Sequence, residues 1–224
     1  MVLSPSILRI KMKKKYTNNY DKIAPVYDFL SRMVYLNAQR KAQIHQLNYL
    51  PPGSRLLIIG GGSGWILEAI AHKYKEGLEI VYVEISGKMM QLARARTYGN
   101  NKVQFIEQDL ADYHSDLKFD VVLTAFLFDN FTREQTEKAF PQIHSYLKEN
   151  GLWCYCDFCI TQEKGKWWKS GMLKMMYLFF RSLGMVETDH LIDMRPYFAA
   201  HNYSIQEAAF YYQGFIQSII YSRE

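Results

Sequence analysis

Short apolar runs alternate along this chain with longer stretches whose apolar positions recur every three or four residues. The runs Ser54 to Gly60 (SRLLIIG), Leu78 to Glu84 (LEIVYVE), Lys102 to Gln108 (KVQFIEQ), Phe119 to Ala125 (FDVVLTA) and Gly151 to Phe158 (GLWCYCDF) predict strands. Between them, Gly64 to Lys75, Gly87 to Tyr98 and Arg133 to Asn150 carry the helical period. Asn18 to Leu50 reads as helical pieces interrupted by Pro25 and closed by Pro51, Pro52 and Gly53. Two β-rich runs, Tyr203 to Tyr212 and Phe215 to Arg223, follow at the end, separated by Gln213 and Gly214. The rhythm predicts an α/β, Rossmann-like, doubly wound and mostly parallel seven-stranded sheet, helices on both faces, with an antiparallel C-terminal hairpin at its edge.

That pattern gives a location to the stretch LLIIGGGSGW, Leu56 to Trp65. Its glycines fall where the first strand turns into the first helix, the end at which open α/β sheets bind ligands. Gly60, Gly62 and Gly64 permit a tight turn and let backbone amides approach a ligand closely. A dinucleotide fingerprint started at Gly60 requires glycine at position 65, which is Trp65, so the pattern present is G-x-G-x-G and a nicotinamide oxidoreductase is disfavoured. Glu84 stands at the end of the second strand, where a carboxylate can accept from both hydroxyls of a ribose. Asp109 lies just past the third strand, placed to meet the exocyclic amine of adenine. Each has a competing duty: Glu84 as cap of the next helix, Asp109 as cap of a turn.

These features in register resemble the class I S-adenosylmethionine-dependent methyltransferases, over about residues 16 to 160. Within that family, YDKIAPVYDFLSRMVY and VEISGKMMQLARAR are similar to motifs of the ubiquinone/menaquinone biosynthesis methyltransferases. The resemblance implies S-adenosyl-L-methionine as cofactor. It implies that Tyr20 and Tyr27 close over the methionine end, Glu84 holds ribose, and Asp109 with Leu110 holds adenine. It also carries Gly60, Gly61, Gly62, Ser63, Gly64, Ile85, Met89, Thr124 and Ala125 into the cofactor-contacting set. One position departs: two residues before the first glycine the family usually has an acid, and here stands Ile58. A non-catalytic nucleoside-binding protein of the same fold therefore stays open as an alternative.

Methyl transfer from an activated cofactor asks mainly for alignment, and for a base only where the nucleophile must lose a proton. The segment AFLFDNF after the fourth strand supplies Asp129 and Asn130, with Asp129 the candidate base and helix capping near TREQ the competing reading. It lacks the Asn-Pro-Pro-Tyr pattern of many amino-group methyltransferases, which disfavours a nucleic-acid base as substrate. His190 could reach the site from the later segment. The insertion at 163–184 reads as a lid or as an ordinary core-facing helix, with Trp168, Met172, Met175, Met176, Phe179 and Leu183 on one apolar face and Ser170, Lys174 and Arg181 opposite. This favours a small apolar or aromatic acceptor methylated at oxygen or carbon; contact of the same face with a membrane surface stays open.

Charge and composition change little. The net charge of +5 lies partly in Lys11 to Lys15, so residues 1–19 read as a basic tail and 20–224 as a single domain. No apolar stretch approaches the roughly 20 residues of a membrane span. Cys154, Cys156 and Cys159 crowd into one strand, which suits buried thiols of a reducing cytoplasm better than a metal site.

Overall fold

A computed structural model describes residues 37–160, 165–182, 186 and 188–224. The basic tail, Tyr20, Tyr27 and Leu183 lie outside the described residues.

Seven strands form one sheet in the order β3-β2-β1-β4-β5-β7-β6. The first five, β1 (Arg55–Ile59), β2 (Glu76–Glu84), β3 (Asn100–Glu107), β4 (Phe119–Ala125) and β5 (Leu147–Phe158), pair in parallel. The terminal strands β6 (Tyr203–Tyr211) and β7 (Ile216–Arg223) make the expected hairpin, with β7 inserted antiparallel between β5 and β6. Its turn holds Tyr212, Gln213 and Gly214 at φ 50°, 56° and 80°.

Alternation in β1 explains the two-sided burial. Leu57 and Ile59 enter one core with Phe140 and Trp153, while Leu56 and Ile58 enter the other with Ile66, Leu67 and Ile70. A central parallel strand must be apolar on both faces because helices cover both. Those helices are α1 (Ala38–Gln46), α2 (Trp65–Lys73), α3 (Gly87–Arg94) and α4 (Arg133–Tyr146); α5 (Lys166–Ser182) and α6 (Arg195–Ala200) follow β5.

The predicted helices overran their ends. α2 stops at Lys73 because Tyr74 turns extended, at φ −122°, and donates its hydroxyl to the carbonyls of Leu47 and Leu50. The pattern also placed Leu147 to Asn150 in the helix before β5. They belong to the strand: Leu147 pairs with Phe119, Asn150 takes a left-handed φ of 58°, and pairing resumes between Leu152 and Val121.

The sheet order places the ligand crevice. After β1 the chain moves outward to β2 and β3, then crosses back to β4 on the other side of β1, so loops at the carboxyl ends of β1 and β4 diverge. The glycine turn follows β1, and Asp129 follows β4, on the two sides of that opening.

Candidate functional site

The turn after β1 is held by side chains from β2. The amide of Gly62 donates to Glu84 Oε2 at 2.9 Å and the amide of Ser86 to Glu84 Oε1 at 2.8 Å, while Tyr82 Oη donates to the Gly62 carbonyl at 2.9 Å. Three of the glycines have distinct reasons to be glycine. A Cβ on Gly61 would fall 2.2 Å from the Tyr82 ring, and one on Gly64, at φ 76°, 2.6 Å from the Ala93 backbone of α3. A Cβ on Gly62, at φ 63°, would meet nothing within 4 Å. Gly61 and Gly64 thus serve packing, and Gly62 presents its backbone to the open crevice. Ser63 is buried, and its carbonyl accepts from Arg96 Nε at 3.1 Å.

Glu84, at the end of β2, is 6% exposed and braces two amides. The helix it might have capped is capped by Ser86, whose hydroxyl accepts from the Met89 amide at 3.2 Å. Asp109 does cap a turn, accepting from Ala111 at 3.0 Å at the start of the short 3₁₀ helix Leu110–Asp112. Leu110 and Met89 are buried beside it and along α3, and Ile85 is half-buried. Thr124 turns away from the crevice: its Oγ1 accepts from Trp153 Nε1 at 2.8 Å in the core of the other face, so only its backbone is left for a ligand. Ala125 packs with α5 instead.

Asp129 sits in a 3₁₀ turn, Phe128–Asn130, directly after β4. The chain bends there through Phe126, a non-glycine residue at φ 52° whose amide donates to the Cys156 carbonyl at 2.8 Å. Capping does not explain Asp129, because α4 is capped reciprocally by Thr132 and Gln135. Asn130 Nδ2 donates both to Asp129 Oδ1 and to the Phe126 carbonyl, each at 2.8 Å. Burial pushes the Asp129 carboxyl up to about 7.

A second carboxyl, from β5, shares this enclosure. Asp157 is fully buried and accepts from the Phe158 amide at 2.8 Å, but its Oδ2 has no hydrogen-bond partner. Burial, then the nearby charge of Asp129, raise its carboxyl far above the usual range, and the amides of Phe128 and Asp129 offset this in part. Two like charges so enclosed cannot both persist, so the pair retains a proton near neutrality. Sequence reasoning missed Asp157, although a lone acid in the apolar run WCYCDF was a readable signal. The neighbouring thiols are structural: Cys154, Cys156 and Cys159 are buried and form no disulfide among the described residues, and burial pushes Cys154 up to about 12.

α5 lies over these strand ends, rotated from its expected orientation. Its inward stripe is Lys169, Leu173 and Tyr177, flanked by half-buried Trp168, Met172 and Met176, and Tyr177 Oη donates to the Asp129 carbonyl at 3.2 Å. Met175 and Phe179, expected inside, face outward with Trp167 and Leu178. Tyr177 anchoring to the β4 turn fixes this rotation. His190 does not reach the site; it is exposed and paired with Asp189 at 2.8 Å. Ile58, at the family's acidic position, is 3% exposed and belongs to the core. Tyr82 and Lys169 join Asp157 as residues the sequence reading passed over.

A family model described as a methyltransferase domain matches residues 56–151. The phosphoethanolamine N-methyltransferase of Plasmodium falciparum is 28% identical over 155 residues, 67% of this chain and 57% of that protein. The ubiquinone/menaquinone biosynthesis C-methyltransferase UbiE of Hydrogenovibrio crunogenus is 24% identical over 156 residues, 66% of this chain and 61% of that protein. The chain thus spans less than two thirds of either relative's length. Among solved structures, the DhpI-SAM-HEP complex superposes with a TM-score of 0.63 at 15% identity, covering 92% of this chain and 94% of that one. The N-methyltransferase NodS from Bradyrhizobium japonicum, in complex with S-adenosyl-L-homocysteine, gives 0.61 at 13%, covering 83% and 86%. Strand order and the braced glycine turn agree with these likenesses: residues 56–151 match a methyltransferase domain, and the chain is similar to a ubiquinone/menaquinone biosynthesis C-methyltransferase over about two thirds of its length.

Proposed function

We propose that the protein uses S-adenosylmethionine to methylate a small apolar or aromatic acceptor at oxygen or carbon. The observation that carries this reading is the glycine turn at the switch point of the sheet, open at Gly62 and braced by Glu84. In this reading the Gly60 to Gly64 backbone and Glu84 hold the ribose and methionine parts, and Asp109, Leu110, Ile85 and Met89 hold adenine. Bound S-adenosylmethionine supplies a methyl group already activated on sulfur. The chain's own task is then to align the acceptor and take its proton.

In this reading Asp129 takes that proton. A carboxyl poised near neutrality is a competent base at ordinary pH. A neutral amine needs no base to attack, whereas a hydroxyl or an acidic carbon does, which favours oxygen or carbon. In this reading Met172 and Met176, half-buried against Phe158 and Leu173, meet the aromatic or aliphatic body of the acceptor. Buried thiols outside any disulfide among the described residues fit a reducing, cytoplasmic setting.

Calorimetry with S-adenosylhomocysteine tests the reading without knowledge of the acceptor. Charge-assisted hydrogen bonds contribute about 1.5 to 3 kcal/mol each, so Glu84→Ala is expected to weaken binding on the order of tenfold to a few hundredfold. Glu84→Gln falls between. Because Glu84 also braces Gly62 and Ser86, the Ala variant loses stability as well. An Ala variant that binds as wild type does removes the basis of the proposal.

A further inference from the structure

Lys169 is the one buried lysine among the described residues, 0% exposed, and its Nζ has no hydrogen-bond partner. It stands in the first turn of α5, a turn with no acidic residue, where the helix presents its positive end. Burial without a hydrogen-bond partner is costly for a polar side chain. Lys169, Leu173 and Tyr177 form one stripe; Leu173 and Tyr177 pack with Cys156 and Phe158 of β5, and Tyr177 reaches the Asp129 turn. The aromatic ring of Trp168 lies 6.0 Å from Nζ and offers only a weak cation–π partner.

We propose that Lys169 is the anion receptor of the acceptor site, and that the acceptor carries an acidic group, such as a carboxylate, on its apolar or aromatic body. This rests on the methyltransferase reading and narrows its substrate class. An acidic group brought by the acceptor meets the buried ammonium and the positive helix end together. It satisfies both as the apolar body comes to lie against α5. The stripe also sets a scale. Eight residues separate Lys169 from Tyr177, about 12 Å along the helix at 1.5 Å per residue, so the acidic group and the methylated atom near Asp129 lie on the order of 10 Å apart. An acceptor of that length orients itself, acid toward the start of α5 and nucleophile toward β4.

The test uses 4-hydroxycinnamate and its primary amide, equal in shape and different in charge, titrated calorimetrically into the protein saturated with S-adenosylhomocysteine. Wild type is expected to bind the acid about tenfold or more tightly than the amide. Lys169→Met should erase that preference while keeping S-adenosylhomocysteine affinity, and should melt at or above the wild-type temperature without ligand. Lys169→Gln repeats the measurement if the Met variant does not fold. Absence of an acid preference in wild type, whether both compounds bind equally or neither binds, overturns the proposal, as does a preference that survives in the Met variant. Failure of both variants to fold gives the lysine a structural duty and overturns it too. Failure to bind S-adenosylhomocysteine at the outset strikes the methyltransferase reading instead, so the two are separable.

Discussion

The two sides of the crevice are built on opposite terms. On the β1–β2 side every polar group named above is engaged by the protein: both oxygens of Glu84 accept backbone amides, Tyr82 holds the glycine turn, and Asp109 caps its own turn. On the β4–β5 side, Asp157 Oδ2 and Lys169 Nζ are buried without partners, and two carboxyls crowd one enclosure. The first side is a preformed turn whose candidate ligand-binding groups are also structural. The second carries polar groups whose burial costs stability, which is the usual mark of a site where chemistry takes precedence. Substitutions should therefore act with opposite sign on the two sides.

The largest expected effect tests whether the cradle side is closed. Ile58→Asp places a carboxylate in the core with Ile66 and Ile70, and should lower stability by about 4 kcal/mol or more in urea denaturation. Restoring the family's acidic residue is not expected to tighten cofactor binding. A variant that folds normally and binds S-adenosylhomocysteine more tightly would show that Ile58 belongs to the crevice.

Next come the glycines, which separate packing from presentation. Gly64→Ala meets the Ala93 backbone at 2.6 Å in a left-handed conformation and should cost about 3 kcal/mol, whereas Gly62→Ala meets only the left-handed penalty of about 1 to 2 kcal/mol. The ranking reverses for ligand affinity relative to stability: Gly62→Ala should impair S-adenosylhomocysteine binding out of proportion to its melting shift. Equal behaviour of the two variants would erase the distinction between them.

The smallest effect is the one with inverted sign. A carboxyl at an ordinary 3.8 when unfolded and about 7 when folded favours the folded state below pH 4. That contribution is lost as pH rises from about 4 to 7 and stays lost above. Asp129→Asn keeps the acceptor for Asn130 and removes the charge, so it should be about 1 to 3 kcal/mol more stable than wild type at pH 8 and nearly equal at pH 4. Methyl transfer, once an acceptor is in hand, should rise with pH through about 7 in wild type and be lost in the variant. Lower stability of the Asn variant at pH 8 would make Asp129 a structural carboxylate.

Much of this was legible in one dimension because it is local or periodic. Two-sided apolar runs can only be central parallel strands, alternation separated by turn residues can only be a hairpin of this kind, and Gly60 to Gly64 mark a strand-to-helix turn wherever the chain goes. The β-strand ends also fixed where Glu84, Asp109 and Asp129 emerge. What periodicity cannot give is the rotation of an element that is apolar on more than one side. α5 bears Met175, Leu178 and Phe179 on one flank and Leu173 and Tyr177 on another, and the hydrogen bond from Tyr177 to the Asp129 turn chose between them.

Sequence by itself determined the strand-and-helix order, the hairpin, the glycine turn and the acid at the end of β2, since each depends on neighbours within a few residues. Tertiary structure alone decided that Asp157 lies near Asp129, that Lys169 is buried without a hydrogen-bond partner among the described residues, that Thr124 serves Trp153, and that Ile58 is core. These depend on which groups distant in the chain exclude water from one another. Desolvation and pairing are properties of an enclosure, and an enclosure exists only once β4, β5 and α5 have come together.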